Sequence, residues 1–213
     1  MKEKIDVVLV TYNPDMDTLN RCVSSLINQV RRIIIVDNTP LGCKELSIFI
    51  HKNIEIIYLY ENMGIAYAQN IGINIAINEG ADFVLTSDQD TIYPYNYVKE
   101  MMFFYEKYKN NYRVGALAPL FRDLNSRREI EPVLVLKNKK LKKVYNVNNL
   151  DECISVSHVI SSGMIIPVNV LNDVGLMKEE LFIDWVDTEW CWRIRVCKYD
   201  ILVNKNLIIN HRL

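Results

Sequence analysis

The sequence predicts an α/β fold in which a mostly parallel central sheet is flanked by helices. Four short runs of apolar, largely β-branched residues have the composition of strands covered on both faces, and they span residues 5–10, 33–36, 54–59 and 83–86. Helical patterns lie between several of these runs. Strands that alternate with helices pair in parallel, and such sheets bind ligands in the crevice beyond the carboxyl ends of the strands.

Two amphipathic helices are predicted in the first half of the chain, each from apolar residues at helical spacing. The stripe of the first helix consists of Leu19, Cys22, Val23, Leu26 and Ile27. Asp15 or Asp17 is placed to cap its N-terminus. The stripe of the second helix consists of Ile65, Ala68, Gly72, Ile75 and Ala76. Gly80 is expected to end that helix.

The second half begins with a predicted helix over residues 95–108 and a strand over residues 114–118. The pattern then breaks over residues 121–149, where basic side chains accumulate: Arg122, Arg127, Arg128, Lys137, Lys139, Lys140, Lys142 and Lys143. This stretch is either a solvated hairpin or loop, or a patch that meets an anionic acceptor. Regular structure is predicted again in three segments, which span residues 156–167, a short helix at 168–174 and an amphipathic stretch at 187–197.

The composition indicates one domain without a strong electrostatic preference. The 213 residues are 50% hydrophobic and 24% charged, which suits a single α/β core. A net charge of −1 and a pI near 6.3 disfavour nucleic acid as a partner. Five cysteines without C-x-x-C spacing argue for reduced thiols and against structural zinc. With no signal peptide and no apolar stretch of ~18 residues, we expect a cytoplasmic protein.

Two carboxylates follow the fourth predicted strand, where Asp88 and Asp90 flank Gln89. Mg²⁺ and Mn²⁺ take oxygen ligands and keep positions open for water and phosphate, so this pair could place a nucleotide diphosphate on a metal ion. The alternative is that the two aspartates cap a helix that begins near Pro94.

The three histidines differ in their expected roles. His51 lies in a polar connection and His158 near a strand start, positions at which histidine is more often structural. His211 follows an apolar segment near the end of the chain and could reach a metal ion bound to Asp88 and Asp90.

Polar residues also follow the first two strands. Thr11 and Tyr12 are placed to frame a nucleotide base, and the Asp37 carboxylate could accept a hydrogen bond from a ring N–H or a ribose hydroxyl. Such residues are equally ordinary turn formers. Before the second helix, Gly64 permits a tight turn, and the helix N-terminus offers free N–H groups to an anion or a sugar hydroxyl. Neither glycine-rich phosphate-loop motif is present, which disfavours an NAD-binding protein and a P-loop enzyme that hydrolyses ATP.

One late segment places three tryptophans beside three carboxylates, the latter being Asp184, Asp187 and Glu189. Aromatic faces suit the C–H face of a sugar, while a carboxylate can bind its hydroxyls or accept a hydroxyl proton. We therefore expect Trp185 and Trp190 to form a sugar platform beside a general base. The alternative is that Asp187 caps the following helix, with Glu189 in its first turn.

Several motifs occur in order along nearly all 213 residues, with weak coverage only over 121–149. They are Val10-Thr11-Tyr12-Asn13-Pro14, Val36-Asp37-Asn38, Glu61-Asn62-Met63-Gly64-Ile65-Ala66, Asp88-Gln89-Asp90, Ser161-Ser162-Gly163, Phe182-Ile183-Asp184-Trp185-Val186-Asp187-Thr188-Glu189-Trp190 and His211. Together they resemble the family 2 inverting glycosyltransferases, and within these the chain is most similar to the rhamnosyltransferase branch. Relatives usually continue into further helices, so we expect a chain that is shortened at its C-terminus.

The resemblance implies a single GT-A domain, a nucleotide-diphosphate-sugar donor and a divalent cation, Mn²⁺ or Mg²⁺. Residues 1–118 would bind the nucleotide sugar and residues 119–213 would form the acceptor side. By position, the donor would be bound by Thr11, Tyr12, Asn13, Asp37, Asn38, Asn62, Gly64, Asn70 and Asp88. The metal ligands would be Asp88, Asp90 and His211. The base would be Asp187, with Glu189 as the competing carboxylate.

The leading hypothesis is transfer of L-rhamnose from dTDP-rhamnose to a hydroxyl of a cell-surface polysaccharide or a lipid-linked glycan precursor, with peripheral contact to the inner face of the plasma membrane as an option. One displacement would invert the anomeric carbon, with Asp187 deprotonating the acceptor. Two alternatives stay open: a module that binds nucleotide sugars without turnover, and a sugar nucleotidyltransferase. The latter needs a glycine- and lysine-rich phosphate loop near the first strand, which the sequence lacks.

Overall fold

The computed structural model describes residues 3–126, 128–137, 140–147 and 149–212. Its strands are β1 (Ile5–Thr11), β2 (Arg32–Asp37), β3 (Ile54–Tyr58), β4 (Phe83–Asp88), β5 (Val114–Asp123), β6 (Val133–Lys137), β7 (Lys140–Val144), β8 (Cys153–Val156), β9 (Met164–Pro167) and β10 (Asp200–His211). Its helices are α1 (Met16–Leu26), α2 (Ile65–Asn78), α3 (Tyr97–Tyr108), α4 (Val168–Val174) and α5 (Val186–Val196), with short 3-10 helices at Lys44–Phe49 and Glu179–Leu181.

One large sheet organises the molecule, with the strand order β3-β2-β1-β4-β9-β5-β10-β8. It is mostly parallel, as predicted, because β3, β2, β1, β4, β5 and β10 share one direction. Within it, β9 and the edge strand β8 run the opposite way. The carboxyl ends of β1, β2 and β4 meet at one edge, where the register pairs Thr11 with Asp37 and Val10 with Asp88.

Apolar cores cover both faces of this sheet. Along β1 the side chains alternate, so that Val7 and Leu9 pack with α1 and α3, whereas Val8 and Val10 pack with α2. Helix α2 lies directly on the sheet, since a Cβ added at Gly72 would sit 2.5 Å from Val8 Cγ1. Glycine at this position therefore allows the close approach of helix and strand.

The elements predicted in the first half of the chain are confirmed, with ends that shift by one or two residues. Asp15 is the N-cap of α1 and accepts a hydrogen bond from the Thr18 N–H at 2.8 Å. Helix α2 ends at Asn78, two residues before Gly80, which has the left-handed φ of +73° typical of a helix stop. The five cysteines are free thiols, as predicted.

The second half departs from the prediction in two places. Residues 156–167 do not form one element, because β8 ends at Val156 and β9 begins at Met164 in the middle of the sheet. Strand β10 was not predicted, and it pairs with β5 through two register shifts that interrupt its regular pattern. Such irregularities hide a strand from periodicity.

The weakly patterned stretch 121–149 contains the hairpin of β6 and β7, and contact of its basic residues with an anionic acceptor stays a prediction. Of its basic residues, Arg127 and Lys139 lie outside the described residues. The boundary predicted at residue 118 falls inside β5, so one sheet spans both predicted halves. No helix in the described ranges is long and apolar enough to cross a membrane.

A buried ion-pair cluster joins β1 to β2 at the edge of the sheet opposite the carboxyl ends of β1, β2 and β4. Asp6 has no exposed surface, and it accepts hydrogen bonds from Arg31 Nε at 2.7 Å and from Arg32 Nε at 2.9 Å. Arg32 also pairs with Glu55 of β3 at 3.1 Å. The cluster therefore fixes three neighbouring strands relative to one another.

We expect Asp6→Ala to lower the free energy of unfolding by about 3 kcal/mol, because removing one partner leaves desolvated charge without compensation. Glu55→Ala is the matched control, since Glu55 contacts the same Arg32 but is 39% exposed, and it should cost less than about 1 kcal/mol. Urea denaturation of both variants measures the difference. Equal losses would contradict a structural role that is specific to Asp6.

Candidate active site

Three titratable side chains meet at the carboxyl end of β4. His211 Nε2 lies 3.7 Å from Asp88 Oδ2, and His211 Nδ1 lies 3.2 Å from Asp90 Oδ1 and 2.9 Å from Thr91 Oγ1. Burial raises the pKa of Asp88 to about 6, and Asp90 adds to this effect. Burial alone would lower the pKa of His211, but Asp90 and Asp88 raise it above its usual value.

The oxygen atoms of this cluster suit a hard divalent cation. Asp90 Oδ1 is buried without a hydrogen bond, since the His211 nitrogen near it does not approach in hydrogen-bond geometry. Asp88 presents a second, partly exposed carboxylate beside it. However, no group of three or more His, Cys, Asp or Glu side chains in the described part of the chain has the arrangement of a metal centre. The two carboxylates therefore carry the case for a cation, and the set with His211 stays a prediction.

Neither aspartate caps a helix, so that alternative is wrong. The N-cap of α3 is Asn96, and it makes no side-chain capping bond.

Asp187 lies in the first turn of α5 and is oriented from two sides. Its Oδ2 accepts a hydrogen bond from the Ser161 N–H at 3.2 Å, and its Oδ1 accepts one from the Thr188 N–H at 2.7 Å. The capping alternative is wrong, because the N-cap of α5 is Trp185, in the left-handed conformation with φ +67°.

The turn between β8 and β9 links Asp187 to the acidic cluster at β4. Ser161 holds Asp187, and the next hydroxyl, Ser162 Oγ, accepts a hydrogen bond from the Asp88 N–H at 3.1 Å. Ser162 Oγ also lies 2.5 Å from Thr91 Oγ1. The charge of Asp187 is close enough to raise the pKa of Asp88. Two consecutive serines thus connect the Asp187 carboxylate to the backbone of Asp88, which is far away in sequence.

Glu189 has a different environment from Asp187. It pairs at 2.9 Å with Arg193, four residues later on the same helix face, and at 3.1 Å with Lys178. Burial alone would raise the pKa of Glu189, but the hydrogen bonds from Arg193 and Lys178 lower it below its usual value. Arg193 also donates to the carbonyl of Leu176 at 2.7 Å. Glu189 therefore anchors the loop before α5.

A cleft of about 340 Å³ runs from the end of β1 to the acidic cluster. Of the residues predicted to bind donor or metal, it is lined by Tyr12, Asn38, Asn62, Gly64, Asp88, Asp90 and His211. The Asn38 side chain holds the loop at its side, donating to Asn62 Oδ1 at 2.9 Å and accepting from the Met63 N–H at 2.8 Å. Tyr12 is 45% exposed, so its ring is available to a ligand.

Asp37 lies behind this cleft and is fully buried. Its Oδ1 accepts hydrogen bonds from Thr11 Oγ1 at 2.9 Å and Thr39 Oγ1 at 2.7 Å, and its Oδ2 accepts one from the Cys43 N–H at 2.7 Å. These bonds join the ends of β1 and β2 and shape the loop that follows. Direct contact of Asp37 with a nucleoside stays a prediction.

Two further predicted residues lie outside the lining of the cleft. Asn70 is buried, and its amide group bonds both the carbonyl and the N–H of Met177, each at 2.9 Å, and Glu179 Oε1 at 2.8 Å. Asn13 is exposed, and its N–H donates to Thr39 Oγ1 at 2.9 Å. In this arrangement Asn70 secures the loop after α4, and Asn13 the turn after β1.

Gly64 and the start of α2 are covered by the loop before α5. The Phe182 carbonyl accepts hydrogen bonds from the Ile65 N–H at 2.8 Å and the Ala66 N–H at 3.4 Å. The expectation that these N–H groups are free for an anion is therefore wrong. Gly64 has φ +83°, and a Cβ there would sit 2.7 Å from that same carbonyl oxygen.

The structure adds residues that sequence reasoning did not assign to the site. Gln89 joins β4 to β1 by accepting a hydrogen bond from the Tyr12 N–H at 2.8 Å and donating to the Tyr12 carbonyl at 3.2 Å. The position of Gln89 between Asp88 and Asp90 was the sequence feature that could have identified it as a site residue. Phe182, Ile183 and Arg212 also line the cleft.

A second cavity of about 300 Å³ lies on the other side of Ser162, between the β6–β7 hairpin and α5. Asp187, His158 and Lys143 are among the polar residues that line it, within largely apolar walls. His158 was expected to be structural, and its Nδ1 lies in a hydrogen bond 2.6 Å from Ser157 Oγ while the residue also lines this cavity. Burial lowers the pKa of His158, so its ring is neutral near pH 7.

One part of the predicted sugar platform is wrong. Trp190 is fully buried, and its indole N–H donates to the Gly175 carbonyl at 2.9 Å. Trp185 and Trp192 are exposed instead, with ring centroids 6.0 Å apart. The sequence alone does not distinguish which tryptophans face the core.

Residues 6–175 match the family model described as glycosyl transferase family 2. The chain is 35% identical over 205 residues to the dTDP-rhamnosyl transferase RfbF of Shigella flexneri, covering 96% of this chain and 67% of that protein. The fold is similar to GalNAc-T7 crystallised with UDP, GalNAc and Mn²⁺, with a TM-score of 0.78 and 15% identity. It is also similar to TarS of S. aureus, with a TM-score of 0.72 and 17% identity.

Each of these two structural matches covers 99% of this chain. The chain spans 44% of the GalNAc-T7 chain and 37% of the TarS chain, less than half of either. At such identities the likeness concerns the fold alone, and it confirms the predicted GT-A fold.

We expect Gly64→Ala to lower the free energy of unfolding by about 2–3 kcal/mol, because left-handed strain adds to overlap with Phe182. Gly80→Ala is the matched control, since it has a similar φ of +73° and open space around the added Cβ. It should cost about 1 kcal/mol from strain alone. Chemical denaturation of both variants separates the two contributions, and equal losses would contradict the overlap at Gly64.

Proposed function

Because the chain belongs to glycosyl transferase family 2, we propose that it is an inverting glycosyltransferase that transfers L-rhamnose from dTDP-L-rhamnose to a hydroxyl of a glycan acceptor. The observation that carries this proposal is the link through Ser161 and Ser162. It brings a candidate base, Asp187, beside the carboxylates at the end of β4. The identity to a dTDP-rhamnosyl transferase supports the choice of donor.

The donor would occupy the 340 Å³ cleft, with its nucleoside near Tyr12 and its diphosphate near Asp88 and Asp90. The half-exposed Tyr12 ring offers a face for the base. Asn38 and Asn62 fix the wall on that side. Much of the remaining lining is apolar, which favours a deoxysugar over one that carries an additional hydroxyl.

The departing nucleoside diphosphate carries negative charge next to two carboxylates, so this end of the site needs positive charge. A divalent cation, when bound by Asp88 and Asp90, supplies that compensation. His211 contributes on its own, because its raised pKa increases its cationic fraction near neutral pH. This charge lessens the repulsion between the two aspartates on either side of it.

Asp187 would act as the general base for the acceptor hydroxyl. The Ser161 and Thr188 N–H groups hold one oxygen each, which fixes the orientation of the carboxylate at the second cavity. As Asp187 takes the proton, the acceptor oxygen attacks the anomeric carbon while the bond to the diphosphate breaks on the opposite side. A single displacement of this kind inverts the anomeric centre.

Metal binding should depend on pH in a defined direction. Protons compete with the cation for Asp88, whose pKa is raised to about 6. The affinity for Mn²⁺ should therefore rise from pH 5 to pH 7 and level off above it. Titration of Mn²⁺ by electron paramagnetic resonance at several pH values measures this.

The matched variants for this measurement are Asp88→Asn and Asp184→Asn. Asp88→Asn should remove most of the pH dependence and weaken dTDP binding in Mn²⁺, whereas the exposed Asp184 should tolerate the change. Calorimetry of dTDP binding in Mn²⁺ and in EDTA completes the test. The cation has no role in donor binding if the two affinities are the same.

The base assignment is tested by two substitutions on one helix. Asp187→Asn should lower kcat by at least ~10²-fold while the dissociation constant for dTDP-rhamnose stays nearly unchanged. Glu189→Gln should cost about 1 kcal/mol of stability through its ion pairs but keep most of the turnover. Rhamnosyl transfer or donor hydrolysis, followed by release of dTDP, provides the rate.

If Glu189→Gln abolishes turnover and Asp187→Asn does not, the two roles are exchanged. If dTDP-rhamnose binds with measurable heat but neither transfer nor hydrolysis occurs in the wild-type chain, the chain is a binding module. That outcome would overturn the proposal of an enzyme.

A further inference from the structure

Two exposed tryptophans lie along one face of α5. Trp185 at the N-cap is 64% exposed and Trp192 is 43% exposed, and their ring centroids are 6.0 Å apart. Residues seven apart on a helix differ by only about 20° in direction. The two indoles therefore form one continuous aromatic surface.

This surface continues to the cavity that contains the candidate base. His158 packs edge-to-face on Trp192 with ring centroids 6.3 Å apart, and it lines the second cavity together with Asp187 and Thr188. We call Trp185, Trp192 and His158 the aromatic strip. It leads from Asp187 outward over the surface of the protein.

Core packing does not account for these rings. The core of this face already includes Trp190, which is fully buried and hydrogen-bonded, whereas Trp185 and Trp192 leave large apolar areas in water. Trp185 also has the left-handed conformation, with φ +67°. A backbone of this kind in a residue with a large side chain costs free energy and is concentrated at functional sites.

We propose that the aromatic strip is a second acceptor subsite, which binds the sugar unit next to the one that receives the transferred residue. The acceptor is then the end of an oligosaccharide with at least two units rather than a single sugar. The first unit lies in the cavity beside Asp187, and the C–H face of the next unit packs on Trp192 and Trp185. This inference rests on the proposed function, since that function makes the cavity an acceptor site.

The charges around the strip select this class of ligand. Asp184 is exposed beside Trp185, and Asp187 lies in the first turn of α5, whereas the charge of Glu189 is compensated by Arg193 and Lys178. Carboxylates repel anionic lipid headgroups and phosphates, but they accept hydrogen bonds from sugar hydroxyls. The His158 ring, neutral because burial lowers its pKa, adds no positive charge. A neutral polyhydroxylated chain fits this combination of rings and carboxylates.

Binding to an array of neutral saccharides tests the inference. The array carries mono-, di- and trisaccharides of rhamnose, glucose, galactose and N-acetylglucosamine, and the chain is applied with dTDP and Mn²⁺. We expect at least one di- or trisaccharide to bind more tightly than its own monosaccharide. Trp192→Ala and Trp185→Ala should each weaken that binding about tenfold, while the dissociation constant for dTDP stays the same.

Two control variants accompany this test. Trp192→Phe should restore most of the binding, because it keeps an aromatic face. Phe103→Ala removes an exposed ring, 66% accessible, from α3 on the opposite face of the sheet and should change nothing. Thermal unfolding of every variant shows whether the fold is kept.

The inference is overturned if the wild-type chain binds no oligosaccharide of the array better than its monosaccharide, or if Trp192→Ala leaves such binding unchanged. Binding to phosphatidylglycerol vesicles that depends on both tryptophans would also overturn it in favour of a membrane surface. Donor hydrolysis is measured separately. Hydrolysis without strip-dependent binding refutes the subsite alone, whereas strip-dependent binding without hydrolysis refutes the proposed enzyme and leaves a saccharide-binding surface.

Discussion

The site depends on the antiparallel insertion of β9 between β4 and β5. This pairing forces the turn before β9 to lie against the carboxyl end of β4, where the Gly163 N–H donates to the Thr86 carbonyl at 2.9 Å. The hydroxyl and N–H groups of Ser161 and Ser162 then reach Asp187 on one side and Asp88 on the other. Without β9 at the centre of the sheet, the candidate base and the acidic pair would belong to separate parts of the molecule.

The carboxylates near the two ends of β1 fall into two groups that differ in how completely they are hydrogen-bonded. Asp6 and Asp37 have no exposed surface and accept several hydrogen bonds or ion pairs from the protein, so they stabilise the two ends of β1. By contrast, Asp90 keeps a buried oxygen without a hydrogen bond, and the pKa of Asp88 is raised. Carboxylates that the protein itself does not satisfy are the ones available to a cation.

The loop before α5 has a similar double role. The Phe182 carbonyl of this loop accepts hydrogen bonds from the first N–H groups of α2. The start of the loop is anchored by Arg193, which is paired with Glu189. The same loop presents Ile183 to the cleft beside the acidic cluster, and Trp185 at its end is exposed. A substitution in this anchored segment is therefore expected to affect the shape of that cleft.

The sequence determined the strands and helices of the first half, the mostly parallel sheet and the positions of the acidic motifs, because periodicity and strand-end chemistry are local properties. It did not reveal β10, whose register shifts break the period, or the position of β9 within the sheet. Tertiary structure alone decided that Trp190 is buried while Trp192 is exposed, and that Asn70 bonds to Met177. The physical reason is that burial and hydrogen-bond partners depend on which distant segments pack together. Residue type and spacing are local properties, and they do not specify that packing.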